Sequence, residues 1–247
     1  ACPALRLGPK PQEAALIRTI EVTGGNGSKA AAPRPSPRWI IAGLSLCVLM
    51  PSLATSIANV CLPTLAKAFA APFQQVQWVV LAFLLATTTL IVGAGRLGDM
   101  VGRRRLLMAG IGLFALASLL CGLAPGLWSL IAARALQGLG AAIMLALSMA
   151  LIGEAVPKVR IGAAMGLLGS MSAIGTTLGP ALGGMLIAAF GWRAVFLVNL
   201  PLAMAAFWLV LRSVPADRRP AQASRAGFDG VGTLLLALAL GAYALAM

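Results

Sequence analysis

Seven stretches of apolar sequence limit what this chain can fold into more than any other feature. They run over about 39–62, 77–94, 106–124, 128–152, 162–190, 194–211 and 230–247. A helix needs roughly 20 apolar residues to cross a bilayer core. Inside lipid no water is available for backbone N–H and C=O groups, so each stretch must satisfy them internally as an α-helix. The predicted fold class is therefore all-α: a polytopic membrane bundle of six N-terminal helices plus a seventh. Composition agrees, since 60% of the 247 residues are apolar and 10% charged, against about 25% charged in soluble domains.

The same reading divides the chain. Residues 1–38, rich in Pro, Gly, Ala and charge, are expected to form a disordered cytoplasmic tail. Residues 39–211 hold the six-helix bundle, 212–228 a basic, Pro-containing cytoplasmic loop, and 229–247 a truncated seventh helix. The chain begins without Met and stops at Met247 within an apolar run, so the expectation is a fragment whose C-terminal half is missing.

The net charge is +13, and its placement gives orientation. With the N-terminus inside, the inner loops collect Arg96, Arg103, Arg104, Arg105, Lys158, Arg160, Arg212, Arg218, Arg219 and Arg225, and the outer loops only Lys67 and Arg193. Lys and Arg accumulate on the cytoplasmic side, so the chain is placed in the cell membrane, multi-pass, with its N-terminus cytoplasmic. Basic residues confined between apolar runs argue against a nucleic-acid partner. The partners expected are the lipid bilayer and a small-molecule substrate. Histidine is absent, and Cys2, Cys47, Cys61 and Cys121 form no CxxC pair, so no metal site, cofactor or catalytic residue is assigned and the chain is not read as an enzyme.

Three motifs carry chemistry. The first, Gly95-Arg96-Leu97-Gly98-Asp99-Met100-Val101-Gly102-Arg103-Arg104-Arg105, falls between the second and third apolar runs and is read as a loop. Asp99 among arginines accepts charge-assisted hydrogen bonds, giving either a charge latch or a plain topogenic basic loop. The second is Arg134 with Gln137 and Gly138 inside the fourth run. A charge there faces a cavity or partner, or snorkels to the interface. The third is Gly175-Thr176-Thr177-Leu178-Gly179-Pro180-Ala181-Leu182-Gly183-Gly184. Gly175, Gly179 and Gly183 form one small-residue stripe for close helix approach, and Pro180 removes a helical hydrogen bond near Thr176.

Together these stretches resemble the signature motifs of the major facilitator superfamily, the third resembling its antiporter motif. Ser56–Pro63 and Gly191–Pro201 resemble segments of its fourteen-helix drug/proton antiporter branch. The resemblance implies export of small amphipathic molecules by alternating access, coupled to protons, from two inverted three-helix repeats. It assigns gating or conformational roles to Gly95, Asp99, Gly102, Arg103, Gly175, Gly179, Pro180 and Gly183. It places Arg134, Gln137, Asn59, Gln77, Thr177, Met144 and Met171 on the substrate or proton pathway. Where the branch often has an acid in its first helix this chain has Ala54, and none of its six acids lies deep in an apolar run. A facilitator-type importer of sugars or metabolites and a non-transporting membrane protein are the alternatives.

Overall fold

The structure, a computed structural model, describes residues 37–214. The expectations for residues 1–36 and for 215–247, the seventh helix included, lie outside the described residues. Six helices follow one another: α1 Pro37–Ala68, α2 Phe73–Val101, α3 Arg103–Leu123, α4 Leu127–Ala155, α5 Ile161–Phe190 and α6 Ala194–Ser213, the last broken only at Val198. All six are long and apolar enough to cross a membrane, and no strand occurs among the described residues.

Most helices outrun their apolar stretches. Apolarity marks the part in lipid, whereas the hydrogen-bond ladder continues into polar first and last turns. The largest consequence falls on the motif read as a loop. Gly95–Val101 is the last part of α2 and Arg103–Arg105 the first turn of α3, with Gly102 alone between them. Its φ of 110° and ψ of 125° lie where a Cβ would be strained. At the other end of the bundle α5 stops at Gly191, φ 79°. α1 ends less easily: Ala70 adopts φ 47°, while Ala71 N–H donates back to the Ala66 carbonyl at 3.1 Å, a Schellman closure usually given to glycine.

The helices pair in a regular way. α2 lies along α4 and α1 along α5; α3 packs on α4 and α6 on α1; α1 meets α4, and α3 meets α6. Exchanging helices 1–3 with helices 4–6 interchanges α2–α4 with α1–α5 and α3–α4 with α1–α6, and carries α1–α4 and α3–α6 onto themselves, which is what two related three-helix repeats require. Two apolar cores are stacked along the bundle. One is built on Leu44, Met50, Leu107, Phe114, Met144 and Val210, the other on Ile57, Leu65, Val79, Leu130 and Phe196.

Candidate functional site

Three constellations follow from this packing. The first is the seam between α1 and α5, two parallel helices. Pro180 has no N–H, so the Thr176 carbonyl one turn earlier lacks its usual donor. Ser56 Oγ, from α1, donates to that carbonyl at 2.7 Å. One turn nearer the N-termini, Ser52 Oγ and Ser172 Oγ share a hydrogen bond of 2.7 Å. The glycine stripe makes this approach possible. A Cβ on Gly175 would stand 2.8 Å from the Leu49 carbonyl oxygen, one on Gly179 would overlap Ser56, and one on Gly183 would reach 3.2 Å from Ile57. Gly184, on another face, has open space beside it. Sequence reasoning found the stripe and the proline; the two α1 serines that answer them it did not single out.

The second surrounds Arg134, which is wholly buried where the two cores meet. Its Nε donates to the Val79 carbonyl of α2 at 3.1 Å and its Nη1 to Gln137 Oε1 at 2.6 Å. Gln137 Nε2 donates to Ser118 Oγ of α3 at 2.7 Å, and Ser118 Oγ to the Phe114 carbonyl at 2.7 Å. The guanidinium lies over the Phe83 ring at 4.3 Å and faces Phe196 of α6 at 5.9 Å. One side chain on α4 thus touches α2, α3 through Gln137, and α6. No carboxylate is among its partners: the cation is held by one backbone carbonyl, the Gln137 amide and two rings, and its Nη2 is buried without a hydrogen-bond partner. It neither snorkels nor lines an open cavity in this bundle. Gly138 beside it lets α2 close in, since a Cβ there would stand 2.5 Å from the Phe83 carbonyl oxygen.

The third is at the end of the bundle where α2, α3 and α4 finish or start. Arg103 is shared: Nε and Nη2 reach Asp99 Oδ1 at 2.9 and 2.8 Å, and Nη1 reaches Glu154 Oε1 of α4 at 3.0 Å. Nη1 also donates to the Ala150 carbonyl. Arg104 Nη2 donates to the Leu211 carbonyl at the end of α6. Glu154 was not among the residues predicted; its only signal was an isolated acid closing an apolar run. Gly95 has open space around it, and the glycine of this motif that meets α4 closely is Gly98, against Leu147. Asp99 and Glu154 are more than half exposed, so the ion pairs contribute at most about 1 kcal/mol to stability. The Asp99→Asn variant should therefore keep its Tm within a few degrees of the parent, which thermal unfolding checks; a fall of about ten degrees or more would show that the ion pairs carry more of the stability than their exposure implies.

The remaining predicted pathway residues separate. Asn59, Gln77 and Thr177 are exposed on the bundle surface and Met171 is half-buried. Met144 was expected to line a cavity and instead is fully buried in the first core. It lies two turns after Gln137, so the inward face that buries the glutamine buries it too.

The model of the family described as Major Facilitator Superfamily matches residues 44–246. The chain is 41% identical over 204 residues to the multidrug resistance protein Stp of Mycobacterium tuberculosis (strain CDC 1551 / Oshkosh), covering 82% of this chain and 37% of Stp. It is 36% identical to the drug efflux pump JefA of the same strain (85% and 41% covered). With the riboflavin transporter RibZ of Clostridioides difficile (strain 630) the identity is 35%, over 81% of this chain and 44% of RibZ. The chain thus spans about two fifths of the length of these curated relatives. In fold it matches a bacterial homolog of the human lysosomal transporter Spinster, solved in an inward-facing and occupied conformation. The TM-score is 0.66 at 16% identity, over 77% of this chain and 46% of that one. From a family match over most of its length and a bundle of six membrane-capable helices, this chain belongs to the Major Facilitator Superfamily.

Proposed function

We propose that this chain forms the N-terminal half of an exporter that moves small amphipathic molecules out of the cell by alternating access. It is assigned to the fourteen-helix drug/proton antiporter branch, with the end bearing Arg103 and Arg160 in the cytoplasm. The observation that carries the reading is the α1–α5 seam, where a carbonyl freed by Pro180 is bonded across to Ser56 over a glycine stripe. In this reading the glycine–proline stretch works as a sliding seam: two backbones in contact, joined by a hydrogen bond that a small shift between the helices breaks or remakes. The efflux function in the name of JefA and the multidrug resistance in that of Stp support the same reading.

Proton coupling, if it follows the branch, uses acids beyond the membrane interior of this half. Asp99 and Glu154, the acids among the described residues, both sit at the charged end. The rival reading is uptake of a metabolite; the likeness to RibZ, a riboflavin transporter by name, supports a metabolite as the substrate. Everted vesicles carrying the intact protein separate the two. Export predicts concentrative accumulation of a fluorescent amphipathic dye in everted vesicles under an imposed pH gradient. Concentration by right-side-out vesicles alone would establish uptake instead.

A further inference from the structure

Charge is unevenly spread over the end of the bundle that bears Arg103. Both described carboxylates there, Asp99 and Glu154, are held by Arg103, which links α2 to α4. The neighbouring side, where α3 begins and α6 ends, carries only basic charge among the described residues. Arg104 and Arg105 stand in the first turn of α3 and Arg212 in the last turn of α6. Arg104 Nη2 donates to the Leu211 carbonyl at 2.6 Å and so ties the two helix ends together, with Arg105 and Arg212 next in sequence on either side of the join. The sequence after α6 adds Arg218, Arg219 and Arg225 against Asp217.

Arg212 does not extend past its helix end. Its guanidinium lies back over the Trp208 ring, 4.3 Å from the centroid, one turn deeper into the bundle. Trp208 is 51% exposed and shares the outward stripe of α6 with Met204, Phe207 and Leu211. On α3 the outward stripe holds Leu116 and Leu120, and exposed Arg105 lies about three turns before Leu116 on that face. These are large apolar side chains, suited to acyl chains. The outward face of α5 differs, since Gly166, Gly169 and Gly184 have open space beside them, as suits the approach of another helix. Trp concentrates at the membrane–water interface, so a guanidinium resting on its ring stands at headgroup depth.

The geometry points to a binding site for an anionic phospholipid between the start of α3 and the end of α6. Arg212 and Arg105 hold the phosphate, the glycerol region lies beside Trp208, and the acyl chains run along Leu116, Leu120, Met204 and Phe207. A basic cluster above an apolar membrane face selects an anionic headgroup, and a guanidinium can meet phosphate through two parallel hydrogen bonds. The site requires only that the helices span a bilayer, and it stands whichever way transport runs.

The test follows tryptophan emission of the intact protein in phosphatidylcholine vesicles that contain increasing brominated phosphatidylglycerol or, in parallel, brominated phosphatidylcholine. Each protein is read against its own Trp208→Phe partner, so that only quenching at Trp208 counts. Phosphatidylglycerol is expected to reach half-quenching at about one tenth of the mole fraction that phosphatidylcholine needs. Arg212→Gln should lower this preference about fivefold, the effect of one arginine near a membrane surface, and Arg212→Lys should keep most of it. Arg105→Gln should act in the same direction, and the double variant should lose the preference. Arg160→Gln, which removes a charge just before α5, should leave it unchanged. Should Arg212→Gln fail to fold, Arg105→Gln decides by the same readout. The inference is overturned if the two lipids quench alike, or if Arg160→Gln acts as strongly as Arg212→Gln, which would reduce the effect to diffuse surface potential. It is also overturned if glycerol phosphate in solution blocks the quenching, which would make the occupant a soluble phosphate ester.

Discussion

Replacing Arg134 by Met is expected to abolish transport while leaving the protein inserted and about as stable as before. Two opposing contributions nearly cancel. An arginine at the centre of a membrane helix costs about 2.5–3.5 kcal/mol on insertion scales, and here no carboxylate offsets that cost. The side chain recovers it through Val79, Gln137 and the Phe83 and Phe196 rings. Each hydrogen bond to a charged group contributes about 1.5–3 kcal/mol and a desolvated cation–π contact about 2 kcal/mol. Met removes both sides of the balance and fills much of the volume, leaving Gln137 Oε1 as the main unpaired group. A residue kept for stability alone would show a clear fall in Tm; a residue kept for movement shows normal Tm and flux below about one hundredth of the parent, the scale on which a displaced positioning residue acts. Arg134→Lys should also fail, because an ammonium cannot donate to Val79 and Gln137 in one plane while lying over Phe83. Near-normal flux in either variant would remove Arg134 from the transport cycle.

The second large effect is expected at Gly179. A Val there must displace Ser56 and with it the hydrogen bond to the Thr176 carbonyl, prying α1 from α5 at the point of closest approach. Overpacking a tight contact costs about 1–3 kcal/mol, and a carbonyl left unpaired in an apolar surrounding adds about 1–3 kcal/mol more. Gly179→Val should therefore lower Tm by several degrees and eliminate flux. Gly184→Val, five residues on in the same helix but facing open space, should do neither. The contrast is the informative measurement: equal loss in both would mean that helix propensity or expression, rather than the α1–α5 seam, decides the outcome.

Much of this was legible before any coordinates. Apolar run length determined six membrane-capable helices, because lipid leaves the backbone no alternative to the helix. The spacing of Gly175, Gly179 and Gly183 determined a close helix contact, and Pro180 an unpaired carbonyl at Thr176, because both follow from local helix geometry. What tertiary structure alone decided is who stands opposite. That Ser56 meets Thr176, that Ser118 completes the Arg134–Gln137 chain, and that Arg103 is shared between Asp99 and Glu154 depend on contacts between residues 19 to 120 positions apart, or on a helix running through a stretch whose glycines suggested a loop. Periodicity fixes the face on which a side chain lies but not the register between two helices. That register is set by the summed fit of side chains along both, which is why Met144 lies in the core and Gly98, not Gly95, is the glycine against α4.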